Sequence, residues 1–504
     1  MATDSASSKS PVSATAGPGT AKTLGLTSAT MIVMGIMIGS GIFVVSPQIA
    51  RTVNTPGALM LVWVITGIMT MMGALCYGEL AAAMPQAGGQ YVFLRESLGP
   101  LFGFLYGWTS FVVIQTGTIA AVCMAFAKYL GVLYPNAVSE SHWLFHWGAI
   151  GPVQLGLNSE EVVAIAVIVF LTWLNGRGVK AGAWVQNVFT FAKIAALVGL
   201  ILLGLVVARH ADAIAANFAH FWSEFWGGLF GHGTYNLTGG IGLGTVSTAA
   251  IVAVFAAQVG SLFSSDSWNN VTFAAGEIKE PGRNLPLALA LGTIFVTAIY
   301  LLANLAYLTV LPFNAIAHAP EDRVASAMLG VIYGHSGAVL IAVAILISTF
   351  GCTNGLILAG ARVYYAMAKD GLFFQRVAHL NKNRVPGRGL WFQGIWACLL
   401  CLSGTYTQLL NYVMFAEFLF YILTIAGLFI LRAKRPAMPR PYKVIAYPVL
   451  PAVYMLLAAF FDVVVLWVFP QYSGSGLLLV LLGVPVFFIW RKWAAPAAPS
   501  PQQL

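Results

Sequence analysis

Charge is what this sequence has least of. Asp, Glu, Lys and Arg make up 8% of its 504 residues, whereas a soluble domain carries about 25%, and that shortage excludes an ordinary water-soluble globule. The five cysteines, Cys76, Cys123, Cys352, Cys398 and Cys401, all stand in apolar runs and read as packing thiols rather than metal ligands or a disulfide framework. Catalytic signatures are lacking too. There is no Ser-His-Asp set, and "GSGIF" has neither the lysine nor the flanking strand of a phosphate loop, so an enzyme and a cofactor are not expected. Residues 1–24, "MATDSASSKSPVSATAGPGTAKTL", have no apolar signal-peptide core and read as a disordered tail, with a second short tail over 494–504. A nutrient receptor that binds without translocating would need a soluble signalling domain, and neither tail is suited to be one.

Apolar length is what the chain has instead. Residues of the set AVILMFWYC make up 59% of it, in runs of about 20 or more, enough for a helix to cross roughly 30 Å of hydrocarbon. Twelve spans follow, at roughly 25–52, 56–84, 99–131, 160–177, 180–208, 248–275, 285–312, 325–368, 389–405, 409–431, 445–469 and 475–493. They are numbered spans 1 to 12 below. The net charge of +9 does not argue for nucleic acid, because of where it lies. With a cytoplasmic N-terminus, cytoplasmic segments hold 19 of the 25 Lys and Arg, external segments hold 4, and Lys193 and Arg362 fall inside spans. That bias is the positive-inside rule and puts both termini in the cytoplasm of a plasma (inner) membrane protein. The cluster "RAKRPAMPRPYK" (432–443) reads as a solvated anchor against anionic headgroups. The aromatic external segments 132–158 and 209–247 read as interfacial helices; His142, His146, His220 and His232 are too scattered in them to predict a metal.

Two spans contain residues poorly suited to a helix in lipid. Span 1 carries Gly39, Ser40 and Gly41 in "MGIMIGSGIFVVSP", and span 6, five helices later, carries Ser264–Ser267 in "FSSDSWNN". Glycine alone is explained by close helix packing. A pair of interrupted spans at matching places in two five-helix halves points instead to an inverted-repeat transporter with its site at the midplane. Unwinding exposes amide N–H groups at the start of the downstream half-helix, near Ile42, where the helix dipole favours an anion such as a carboxylate. The upstream half-helices end in carbonyls that suit an ammonium group. One zwitterion is thus within the capacity of two backbones. Asp266 adds a charge that at membrane depth must face a cavity or a partner.

These stretches, with "PGALMLVWVITGIMTMMGALCYGELAAAMPQAGGQYVFLRESLG", "GRGVKAGAWVQNVFTFAKIAAL", "SWNNVTFAAGEIKEPGRNLPLAL" and "NGLILAGARVYYAMAKDGLF", resemble the amino acid-polyamine-organocation superfamily, and most closely its L-type amino acid transporters. The resemblance runs from about residue 25 to 493 and implies an all-α integral membrane protein of the LeuT-type fold. Its first inverted repeat is 25–208 and its second 248–431, with 209–247 an external segment and 432–493 two further helices. It also implies sodium-independent exchange of neutral L-amino acids by alternating access. Position by position, it places the substrate carboxylate on the amides of Gly39, Ser40 and Gly41. The amino group falls on carbonyls near Ile38, Phe263, Ser264 and Asp266, with Phe263 closing over the substrate. Lys193 corresponds to a lysine that reaches the unwound part of span 1 in place of sodium; its ammonium is suited to orphan carbonyls.

Other polar residues carry two readings. Gln115, Thr116, Thr118 and Asn269 are pocket candidates or helix–helix hydrogen bonds. Asp266 with Glu417 in one cavity would favour arginine, lysine or a polyamine, and the same site would serve proton symport. Glu79 is expected to pair with a basic loop residue, and Arg362 and "AKDG" (368–371) read as inner-gate or loop structure. Asp462 has no explanation in the sequence. Relatives that join a heavy chain do so through a cysteine between helices 3 and 4, and 132–158 has none, so a disulfide-linked partner is not expected.

Overall fold

The structure, a computed structural model, describes residues 22 and 24–493, apart from 151–152, 223–224, 227, 230, 232, 238–245, 384 and 403–405. The expectations for nearly all of 1–24, for 494–504 and for His232 lie outside these residues. Eleven helices among the described residues are long and apolar enough to cross a membrane. The remaining predicted span, span 9, is the shorter helix Gly387–Cys401, 15 residues long.

Local chemistry sets where these helices start and stop. Asn54, in the left-handed region at φ 60°, ends the outer half of span 1. Thr55 then caps span 2 (Pro56–Ala83) by accepting from the Ala58 N–H at 3.3 Å, with Pro56 in the first turn, where its missing N–H costs nothing. Span 4 (Ser159–Gly176) opens on a capping box: Asn158 accepts the Glu161 N–H, and Glu161 accepts the Asn158 N–H, both at 2.9 Å. That box accounts for a carboxylate at the mouth of the span. The eighth run, too long for one simple crossing, is the helix Val324–Lys369 with a break at Gly334 (φ 61°, ψ −147°), which divides an outer piece from the spanning piece.

The packing has the symmetry of two five-helix repeats. Spans 2 and 7, 3 and 8, and 4 and 9 lie against each other, while the contact of 5 with 8 is matched by 10 with 3, and that of 1 with 7 by 6 with 2. Exchanging each span with the one five places on reproduces the set, which is what a LeuT-type inverted repeat requires.

The external segments differ from the expectation of interfacial helices. Strand β1 (Trp143–Ile150) pairs antiparallel with β2 (Val153–Asn158). Runs of bulky aromatic and apolar residues separated by Gly151-Pro152 favour strands over a helix. Among its described residues, segment 209–247 contains one helix, Ala211–Ala219, and strand β3 (Gly233–Tyr235), which pairs with β4 (Val246–Thr248). Phe221 fastens this segment to the protein by accepting the Gly57 N–H through its carbonyl at 2.8 Å.

The cluster at 432–443 is only partly a solvated anchor. Glu79, buried near the end of span 2, accepts from Arg432 Nε at 2.9 Å and Nη2 at 2.6 Å and from the Val444 N–H at 2.7 Å, with Arg440 Nε 3.5 Å away. Two arginines therefore turn inward and tie spans 2 and 10 to the loop. Removing one partner of a buried pair costs roughly 3–5 kcal/mol, because the other charge is left uncompensated. Glu79→Ala should lower the melting temperature of the detergent-solubilised protein by several degrees, whereas an unchanged melting curve would show that the cluster contributes nothing.

Candidate functional site

Both predicted interruptions are real breaks in the backbone. The first half of span 1, Leu26–Met37, ends at Ile38 (φ −74°, ψ 88°), whose N–H makes the last backward bond to Met34, and the ladder resumes with the Phe43 N–H on Ser40 at 3.0 Å. Span 6 runs as an α-helix over Ala250–Ser264, turns through Ser267 in the left-handed region at φ 65°, and continues as a 3-10 helix over Trp268–Glu277.

The two breaks touch. A Cβ on Gly41 would lie 2.9 Å from Ser264 Cα and closer still to its side chain, so only glycine permits this approach. Tyr300 of span 7 joins them from behind, its hydroxyl donating to the carbonyls of Met37 and Ser264, each at 3.1 Å.

The carbonyl end of the first half-helix is capped by side chains. Lys193 Nζ, buried on span 5, donates to Gly35 at 2.5 Å, Ile38 at 2.8 Å and Ser348 at 3.4 Å. The Cys352 thiol donates to Ile36 at 3.0 Å, and the Ser348 hydroxyl lies 3.4 Å from the Ile38 and Gly39 carbonyls. On the other side of the break the next half-helix begins at Gly41. The result is polarised: the carbonyls before the break are occupied by donors of the protein, while Gly39, Ser40 and Gly41, at the positive end of the following half-helix, line a cavity.

That cavity is nearly closed, with a volume of about 10 Å³, room for roughly one water molecule. Of the ten residues predicted for substrate, Gly39, Ser40, Gly41, Phe263, Ser264 and Asp266 line it, and Ile38, Gln115, Asn269 and Glu417 are not in its lining. Gln115 Nε2 donates instead to the Leu356 carbonyl at 2.8 Å. Asn269 Nδ2 donates to Gln90 at 3.0 Å and to Glu417 Oε1 at 3.1 Å, and Gln90 donates on to Thr424 at 3.1 Å. Asp266 faces the cavity but accepts the Tyr421 hydroxyl at 2.6 Å. Below it, Tyr421 stacks on Trp268 at 5.4 Å, with Tyr77 edge-on to both. Asp462 on span 11 is buried outside the lining, and neither of its oxygens has a hydrogen-bond partner.

The rest of the lining is Ile36, Met37, Thr118, Val122, Ser267, Cys352 and Leu356. Sequence reading missed Cys352, Ser348 and Tyr300. The signal for the first two was there, small polar residues four apart within an apolar run; Tyr300 gave none.

The cavity lies between two further features. Toward the end of the protein that bears Gln48 and Thr52, a second, narrow pocket of about 30 Å³ includes Leu237 and Asn411 in its wall. Toward the opposite end, Arg362 pairs with Glu277 at 2.9 Å, Arg95 pairs with Asp370, and Leu24 exchanges backbone bonds with Glu277 and Lys279. Arg362 and Asp370 thus stand where a gate on that side would be. Replacing Gly41 by Val should abolish amino acid binding while leaving a folded, membrane-inserted protein. Binding of labelled leucine that survives the change would refute the close approach as a condition for the site.

Comparison with known proteins agrees with this architecture. The family model described as amino acid permease matches residues 24–489. The human large neutral amino acids transporter small subunit 2 is 32% identical over 97% of this chain and 84% of its own length. The human b(0,+)-type amino acid transporter 1 is 30% identical over 94% of the chain and 90% of its own, and the mouse Asc-type amino acid transporter 1 is 29% identical over 94% and 82%. With its two broken spans, their touching backbones and a match over nearly its whole length, the chain belongs to the amino acid permease family of membrane transporters.

Proposed function

We propose that the protein exchanges neutral L-amino acids across the plasma membrane by alternating access, without sodium. The observation that carries this reading is the polarised break in span 1. Gly39, Ser40 and Gly41 line the cavity, and Lys193 occupies carbonyls that a bound cation would otherwise coordinate. A substrate carboxylate is suited to the backbone N–H groups of that segment. Its amino group is suited to the Phe263 and Ser264 carbonyls and to the Asp266 carboxylate, and its side chain would point toward Val122, Leu356 and Met37. That apolar wall favours a neutral side chain over arginine, lysine or a polyamine, as does the placement of Glu417 outside the lining.

The names of the relatives support amino acid transport, and the names of a permease family and of transporters argue for a carrier rather than an enzyme. We place the first repeat at 25–208 and the second at 248–431, with both termini in the cytoplasm, on the distribution of Lys and Arg. The absence of cysteine from 132–158 argues against a disulfide-linked partner.

Proteoliposomes test the proposal directly. Vesicles preloaded with leucine should take up labelled leucine far faster than empty ones, equally in sodium and potassium buffers; equal uptake by loaded and empty vesicles would overturn exchange. Lys193→Ala should cut the uptake rate on the order of tenfold or more, the loss set by charged hydrogen bonds of about 1.5–3 kcal/mol. A normal rate would leave the lysine a purely structural role. In a competition panel, Glu417→Gln should leave the preference for leucine over arginine unchanged, and a selective loss of arginine competition would establish the cationic reading instead.

A further inference from the structure

A groove separate from the transport cavity lies where spans 2 and 7 meet the loop before span 11. It is open to the surroundings, with a volume of about 560 Å³, between Leu75 of span 2, Arg283, Leu287 and Ala290 of span 7, and Pro441 and Tyr442 of the loop. Its chemistry changes along its length. The Arg283 guanidinium stands at the mouth, 72% exposed, held only by a 3.7 Å pair with the equally exposed Glu280. Such a pair contributes little and exchanges readily. Lys279 and Lys443, both exposed, adjoin the lining residues in the chain, so cations outnumber the single carboxylate there.

From Arg283 onward the exposed positions of span 7 are apolar. Leu287, Leu291, Ile294 and Phe295 are 38–48% exposed, at helical spacing along one face that continues the groove toward the membrane centre. A basic mouth leading into an apolar track, on a helix that enters the bilayer at that point, is complementary to one molecule with an anionic head and long hydrocarbon tails.

We propose that this groove binds an anionic phospholipid of the adjoining leaflet. The Arg283 guanidinium would take the phosphodiester through its fork of N–H donors, and an acyl chain would lie on Leu75, Leu287, Ala290 and Leu291. The Tyr442 hydroxyl is buried at the groove wall without a hydrogen-bond partner. A lipid held there would bridge span 2, span 7 and the loop that Glu79 anchors.

Native mass spectrometry of the full chain in detergent tests this, with titrations of dioleoyl phosphatidylglycerol, dioleoyl phosphatidylcholine and inorganic phosphate. The phosphatidylglycerol adduct should saturate at one site that neither of the others fills. Arg283→Gln, at an exposed position that folding does not need, should weaken it about fivefold, the effect of one cation at an anionic headgroup. Ala290→Phe should fill the track and remove the saturating adduct, while Lys492→Gln, at the end of span 12, should leave it intact. Melting curves like that of the unaltered protein would show that both groove variants are folded. The proposal is overturned if both bind phosphatidylglycerol as the unaltered protein does, if phosphatidylcholine binds equally well, or if inorganic phosphate competes for the site.

Discussion

Hydrocarbon offers a peptide group no partner, so a helix can open inside a membrane only where protein replaces the lost bonds. Everything around the cavity depends on that replacement at the end of the first half of span 1. Lys193 on span 5, Ser348 and Cys352 on span 8, and Tyr300 on span 7 supply donors to the carbonyls from Gly35 to Gly39. None of them is near Gly39 in sequence. A single cation could satisfy several such carbonyls at once; here a fixed ammonium shares the work with two hydroxyls and a thiol. The downstream half-helix begins at Gly41, on the cavity wall, where the positive end of its dipole favours an anion.

The same accounting separates the acids of the membrane region into kinds. Glu79 is a charged group met by two arginines and a backbone N–H. Glu161 completes a helix cap. Asp266 and Glu417 are tied through Tyr421 and Asn269 into a network of neutral donors that also reaches Gln90 and Thr424. Such a network fixes the lower half of span 6 against span 10 through directional bonds rather than through net charge. Of these acids, only Asp266 faces the cavity.

Much of this was legible in the sequence because it rests on local rules. Apolar runs locate spans, glycine and serine at mid-span locate breaks, and an isolated lysine at mid-span demands an acceptor. The five-helix interval between "GSG" and "SSDS" carried the repeat, and the packing symmetry follows it. The pairing of β1 with β2 differs from the expected helix because aromatic residues suit a headgroup layer in either conformation, and the strand signal, Gly-Pro between runs of β-favouring residues, outweighs it. The basic cluster at 432–443 was misread in part because an arginine's sequence gives its charge but not its direction; Arg432 and Arg440 point inward only because Glu79 waits on another span.

What the sequence determined by itself is therefore the membrane class, the approximate spans and the two breaks, since each follows from the cost of placing particular groups in hydrocarbon; that Lys193 meets one of the breaks was implied by the family resemblance. Tertiary structure decided which polar groups share a cavity. Asp266 and Glu417 come from spans far apart in the chain, and only the packing of span 10 against span 6 puts the first on the wall and the second behind it. It also decided that Gly41 must be glycine. The reason is distance: a few ångströms between two backbones, set by helices far apart in the chain, fix what a residue touches, and no local pattern encodes that separation.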